Sequence, residues 1–85
     1  MNLYLLQTNR GFEYDTYDSC VVAANSLPEA CKIHPRKHPF DEETQGWEDS
    51  FTTWATHISQ VKATLIGRAC KNIKEGVVLA SYNAG

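Results

Sequence analysis

A short apolar strand that runs straight into a capped helix start limits the folds open to this chain. The run Cys20–Ala24 is rich in β-branched residues and has the length of a strand. Ser26 and Glu29 have the spacing of a capping box, in which each side chain binds the backbone N–H of the other residue. Pro28 lies in the first turn, where a missing N–H costs nothing. These signals predict a strand–helix unit over residues 20–34.

Other stretches of the chain have the hydrophobic pattern of strands. Leu3–Gln7 is apolar on both faces, which predicts a central strand paired antiparallel with residues 20–24. Val61–Ala69 alternates between apolar and polar residues, which predicts a strand with one solvated face. Val77–Tyr82 is apolar enough for a buried last strand, and Phe51–Ala55 is a candidate for a short fifth strand.

These elements predict an α+β fold in a single small domain over residues 1–85. We expect an antiparallel sheet of four to five strands with one short helix packed on one face, over residues 27–34, and Pro35 ending that helix. A short helix covers little of such a sheet. The opposite face is therefore left to solvent, to a long loop or to a second copy of the chain, so a homodimer is one expected assembly.

The charge balance narrows the classes of partner, and the cysteines narrow the cellular compartment. Eight lysines and arginines stand against ten acids, a formal net charge of −2, which argues against binding nucleic acid through its phosphates. No stretch approaches the roughly 18 apolar residues of a membrane span, so we expect no membrane partner. The three cysteines are an odd number without a C-x-x-C pair, which favours a reducing compartment over a disulfide framework.

A long acidic loop at about residues 35–50 is the segment in which we expect activity to reside. Five of the ten acids fall within residues 41–49. We expect Trp54 to be core and Trp47 to be at least partly exposed, although both indoles can instead fill the core. Aromatic anchors ringed by polar residues characterise protein interfaces, and Phe40 adds another candidate ring. The predicted partner-binding residues are Asp41, Glu42, Glu43, Trp47, Glu48 and Asp49.

Patterns for metal binding or catalysis are weak. Cys31, His34 and His38 have a spacing like that of zinc ligands, but Pro35 separates the histidines and only His57 remains as a fourth ligand. In the simpler alternative, Cys31 is a small core residue and the histidines are solvated. A nucleophilic Cys–His pair would use a thiol from an apolar strand, where burial lowers its reactivity. We therefore predict neither an enzyme nor a bound cofactor.

Binding of a small molecule is the second interpretation of the sequence. Aromatic rings stack on nucleobases, and basic side chains meet phosphates. The chain would then act as a dimeric sponge for a nucleotide, with a tyrosine or Trp47 against the base. The predicted ligand-binding residues of this alternative are Tyr14, Tyr17, Arg36, Lys37 and Arg68.

Five segments spread over nearly the whole chain carry a resemblance. They are Met1–Leu6, Tyr14–Ala24, Ile33–Pro35, Val61–Gly67 and Gly76–Gly85. In these segments the chain resembles a group of small proteins encoded by tailed bacteriophages and prophages, a group without an established activity. The resemblance implies a phage accessory protein made in the cytoplasm of a bacterial host. Compact acidic phage proteins without catalytic motifs often block a host protein. By this analogy, the resemblance implies that the protein binds and modulates or inhibits a host protein, such as a defence component.

Overall fold

The structure is a computed structural model and describes residues 1–8, 16–48 and 53–83. Its described part forms one antiparallel sheet of four strands in the order β3-β1-β2-β4. The predicted α+β fold is therefore confirmed, with four strands rather than five. The elements are β1 (Asn2–Thr8), β2 (Thr16–Ala24), α1 (Leu27–Cys31), a single 3-10 turn (Ile58–Gln60), β3 (Val61–Arg68) and β4 (Gly76–Asn83).

One face of the sheet carries the core. Side chains of directly opposed residues share a face, and Leu6 lies opposite Cys20 while Tyr4 lies opposite Val22. All four are buried. Residues from outside the sheet complete the cluster on this face, and they are Ala30, Trp47, Trp54 and Ala55. The segment between β2 and β3 therefore supplies a large part of the core.

The helix begins at Leu27, as predicted, and ends earlier than predicted; of the two capping-box bonds, the one accepted by Ser26 is confirmed. The Ser26 hydroxyl accepts a hydrogen bond from the backbone N–H of Glu29 at 3.4 Å, and Pro28 lies in the first turn. The predicted end at His34 is wrong, because the helix ends at Cys31. After it, the N–H of Ile33 bonds the carbonyl of Ala30, three residues back, which tightens the last turn. The chain then leaves the helix axis.

The strand predictions have mixed outcomes. β1 lies in the centre of the sheet and pairs antiparallel with β2, as predicted. The prediction of a buried last strand is wrong, because β4 lies at an edge and its Leu79 is 67% exposed. Residues 53–55 are buried but not in a strand, and positions 51 and 52 of that predicted strand lie outside the described residues.

Both edge strands carry an irregularity in register. In β3 the pairing with β1 shifts between Leu65 and Gly67, so that Ile66 is an extra residue. In β4 the pairing with β2 shifts between Val77 and Leu79, so that Val78 is an extra residue. Such bulges bend and twist a strand locally. The clean alternation predicted for Val61–Ala69 therefore holds only for the first half of β3.

Within the described ranges, no helix has the length and apolar character needed to cross a membrane.

Candidate functional site

Residues 41–48 fold into a closed turn, called here the acidic turn. Its base is a bridge in which the N–H of Asp41 donates to the carbonyl of Gly46 at 2.8 Å. Within it, the N–H of Gln45 donates to the carbonyl of Asp41 at 2.8 Å. The N–H of Glu43 donates to Asp41 Oδ1 at 2.9 Å, and Gln45 Nε2 donates to the carbonyl of Glu42 at 2.6 Å. The turn thus has a defined conformation of its own.

The acidic turn is also fixed to the segment that precedes β3. Gly46 forms a bridge with His57, and the N–H of Ile58 donates to the carbonyl of Gln45 at 2.8 Å. Gln45 adopts a left-handed conformation with φ 56°. A Cβ atom on Gly46 would run into the carbonyl oxygen of Thr56, so only glycine permits this approach of the two backbones.

Trp47 anchors the acidic turn to the core. It is 6% exposed, and its indole Nε1 donates to the carbonyl oxygen of Lys32 at 3.1 Å. The prediction that Trp47 is at least partly exposed is therefore wrong. The prediction that Trp54 is core is confirmed, since that side chain is 1% exposed. Trp47 is buried because its polar N–H finds a partner inside the fold, which removes the main cost of burying an indole.

The acidic side chains project from this anchored turn. Asp41, Glu42, Glu43 and Glu48 are all exposed, as a binding surface requires. Glu42 Oε1 lies 3.1 Å from Lys32 Nζ, so part of its charge is neutralised. The last residue predicted for this surface, Asp49, lies outside the described residues. The structure therefore brings together four of the predicted carboxylates and separates Trp47 from solvent.

Phe40 takes the position that was predicted for Trp47. Together with Pro39, Asp41, Glu42 and Glu48 it lines a cavity of about 420 Å³ beside the turn. Its ring packs edge-on against Trp47, with 5.5 Å between the ring centroids. Lys32 Nζ lies 5.3 Å from the Phe40 centroid, within cation–π range. The signal in the sequence was the place of Phe40 directly before the first acid.

The predicted nucleotide-binding residues are not gathered in one place. Tyr17 packs edge-on against Tyr82 at 4.9 Å, at the end of the sheet where β2 begins. Arg68 lies opposite Asn2 at the other end. Arg36 and Lys37 are exposed in the segment after α1. The fifth residue of this set, Tyr14, lies outside the described residues.

A second cavity, called here the cationic cleft, lies after α1. Its volume is about 400 Å³. Lys37 takes a left-handed conformation with φ 63°, and its N–H donates to the carbonyl of His34 at 2.8 Å. The rings of His34 and His38 meet edge-on at 4.6 Å. The lining residues include Lys32, His34, Lys37, His38, Phe40, Glu75 and Val77.

The cysteines and histidines do not form a reactive or metal-binding group in the described part of the chain. Burial raises the pKa of the Cys20 thiol from 9.0 to about 12 and also raises the pKa of Cys31. His34 Nδ1 accepts a hydrogen bond from the N–H of Arg36 at 3.0 Å. Among the described residues, no three side chains of His, Cys, Asp or Glu group as metal ligands, and this holds for the weak candidate set of Cys31, His34 and His38.

The acidic turn with its Phe40-lined cavity is thus the surface that unites most of the predicted partner-binding residues. Comparisons of the chain with protein-family models, with curated proteins and with solved structures found no match.

Proposed function

We propose that this protein is a non-enzymatic phage accessory protein that binds and modulates a bacterial host protein through the acidic turn. The observation that carries the proposal is a hydrogen-bonded turn with four exposed carboxylates, three of which line a cavity together with Phe40. In this proposal the sheet, with α1 packed on one face, serves as the scaffold. The buried thiols of Cys20 and Cys31 suit core positions better than catalytic ones.

The conformation of the turn supports a binding role. The bridge between Asp41 and Gly46, the bond from Ile58 to Gln45 and the buried Trp47 hold the backbone before any partner arrives. A backbone that is ordered in advance loses less conformational entropy on binding, so more of the contact energy appears as affinity. The same acids on an unstructured loop would bind more weakly.

The chemistry of the surface defines the kind of partner. Glu43 and Glu48 are exposed carboxylates of the acidic turn, and Glu48 lines the same cavity as the Phe40 ring. A lysine or arginine side chain fits such a place, because its charge meets the carboxylates and its apolar stem or planar group packs on the ring. The expected partner therefore presents a basic patch, and added salt should weaken the complex.

The test is affinity capture from a bacterial host lysate with the purified chain as bait. The test variant carries Glu43→Lys and Glu48→Lys. Asp41 and Glu42 are left in place, because Asp41 Oδ1 holds the turn and Glu42 pairs with Lys32. The matched control carries Asp18→Lys and Glu75→Lys, two exposed acids outside the turn.

Each reversal adds two charges, so both double variants change the formal net charge equally, from −2 to +2. We expect the original chain and the control to capture the same host protein saturably. The Glu43/Glu48 variant should bind it at least about ten-fold more weakly. Equal capture by all three baits, or no saturable capture by any, would reject the proposal.

The cationic cleft supports a second candidate function, the binding of an aromatic anion such as a nucleotide. Lys37, Lys32 and His38 line the cleft together with the ring of Phe40. Of the predicted ligand-binding residues that the structure describes, Lys37 lines this cleft. A nucleotide that binds the folded chain raises its melting temperature with concentration. Such a rise, abolished by Lys37→Glu, would favour this candidate over the first.

A further inference from the structure

A lysine of the chain itself makes the contact that the proposed function expects from a partner. Lys32 Nζ donates a hydrogen bond to Glu42 Oε1 at 3.1 Å. The same ammonium group lies 5.3 Å from the centroid of the Phe40 ring, within cation–π range. One internal cation therefore binds a carboxylate of the acidic turn and the aromatic ring beside it at the same time.

The backbone of Lys32 is fixed, whereas its side chain is not. Its N–H donates to the carbonyl of Glu29 at 3.2 Å, and its carbonyl accepts the bond from Trp47. The side chain of Lys32, in contrast, is 39% exposed, and that of Glu42 is 73% exposed. An ion pair between such exposed groups is weak, because water screens the attraction and both side chains lose freedom when they pair. A competing cation can therefore displace the ammonium group of Lys32.

The displaced side chain has space in the cationic cleft. Lys32 lines that cleft, Glu42 lines the cavity beside the acidic turn, and Phe40 lines both. The ion pair of Lys32 with Glu42 thus joins the two cavities. A change of side-chain rotamer moves the ammonium group into the cleft, which has about 400 Å³ of space, and the backbone stays in place.

We propose that Lys32 is an internal competitor of the basic partner, which must displace it from Glu42 and Phe40 in order to bind. This inference rests on the proposed function, because it concerns the same surface. A lysine of the partner would only replace an equivalent contact. An arginine gains more, because a guanidinium group binds a carboxylate through two N–H groups and stacks flat on a ring. The partner is therefore expected to present arginine at this place.

Binding of a short fluorescent oligoarginine peptide, followed by anisotropy at low ionic strength, tests the proposal. Lys32→Met removes the ammonium group, keeps an unbranched apolar stem and leaves the backbone carbonyl that accepts from Trp47. We expect this variant to bind the peptide about three-fold more tightly than the original chain, the scale of an exposed ion pair. Lys74→Met, at an exposed lysine outside the cleft, is the matched control and removes the same charge. It should strengthen binding by less than about 1.5-fold.

Glu42→Gln separates the ion pair from the general effect of charge. With glutamine at this position, Lys32 has no carboxylate to release. Lys32→Met should then strengthen binding no more than Lys74→Met does. A gain from Lys32→Met that persists undiminished beside Glu42→Gln would overturn the proposal.

The same measurements separate this proposal from the proposed function. The acidic turn is the binding surface if the peptide binds the original chain and loses affinity for the variant with Glu43→Lys and Glu48→Lys. In that case, equal affinities of the Lys32→Met and Lys74→Met variants would overturn the role of Lys32 alone. If the original chain binds the peptide no better than the Glu43/Glu48 variant does, the proposed function fails and this inference fails with it.

Discussion

The indole Nε1 of Trp47 donates a hydrogen bond to the carbonyl oxygen of Lys32, fifteen residues earlier in the chain, at 3.1 Å. This bond joins the acidic turn to the segment in which the helix ends. It satisfies a carbonyl that is left without a helical partner and a buried N–H at the same time. The turn and the helix end therefore depend on each other.

Replacement of Trp47 by Phe tests this dependence. The variant keeps an aromatic ring in the core but leaves the carbonyl of Lys32 without its donor, so we expect the free energy of unfolding to fall by about 2 kcal/mol. Urea denaturation measures the change. Tyr82→Phe, which removes a hydroxyl from a partly exposed ring, should shift the same quantity by less than about 0.5 kcal/mol. Equal effects of the two variants would contradict the role of the Trp47 bond.

Two glycines are predicted to respond in opposite ways to the same change. Gly46→Ala forces a Cβ into the carbonyl oxygen of Thr56, and the backbone cannot yield as a flexible side chain does. We expect a loss of about 3 kcal/mol, at the upper end of the cost of overpacking. Gly67→Ala, where a Cβ meets nothing, should leave stability unchanged or slightly improved. Thermal denaturation of both variants at low protein concentration measures this difference in stability. Similar melting temperatures for Gly46→Ala and Gly67→Ala would contradict the prediction.

The buried thiol of Cys20 should make stability depend on alkaline pH. Burial raises its pKa in the folded chain from 9.0 to about 12. The unfolded chain therefore releases this proton near pH 9 while the folded chain still holds it. The stabilisation is complete below pH 9 and is lost as the pH rises towards 12, by at most about 1.4 kcal/mol per pH unit.

Cys20→Ala removes this part of the pH dependence. We expect the difference in unfolding free energy between the original chain and the variant to shrink steadily above pH 9. Urea denaturation at pH values of about 8, 9.5 and 10.5 provides the comparison, and other titrating groups cancel in the difference. A difference that stays constant over this range would show that the thiol ionises as easily in the folded chain.

The three cysteines should differ in their reactivity towards an aromatic disulfide reagent. Cys70 is exposed, whereas Cys20 and Cys31 are buried and have raised pKa values. Because the thiolate is the reacting species, we expect one fast equivalent per chain at pH 8 and two more only after unfolding. Cys70→Ser should abolish the fast phase. Three equally fast equivalents in the original chain would contradict the burial of the other two.

The strand–helix unit was predictable because its signals are local. Ser26 and Pro28 act within one turn of helix, and β1 could be recognised as central from its apolar residues alone. The end of the helix was not predictable in this way. The carbonyl of Lys32 bonds Trp47 from a distant part of the chain, and no local pattern carries that information.

The sequence predicted which charged residues of the candidate site are exposed, but it did not predict which aromatic residue lies beside them. The exposed carboxylates follow from the run of acids, which no core can accept. Trp47 is buried because its indole N–H finds the carbonyl of Lys32 as a hydrogen-bond acceptor inside the fold, and Phe40 then lines the surface. The sequence does not show this distant hydrogen bond. The exposure of Leu79 was not predictable for a similar reason, since an apolar strand has the same sequence pattern in the centre of a sheet and at its edge.

The closed base of the acidic turn has a consequence for engineering. Asp41 and Gly46 are bridged, and the backbone on either side is fixed by Trp47 and Ile58. The side chains at residues 43 and 44 can therefore be exchanged without disturbing the frame, because the bond from residue 43 to Asp41 uses only its backbone N–H. A library of such variants, displayed on this small chain, would select binders for targets that have no affinity for acids.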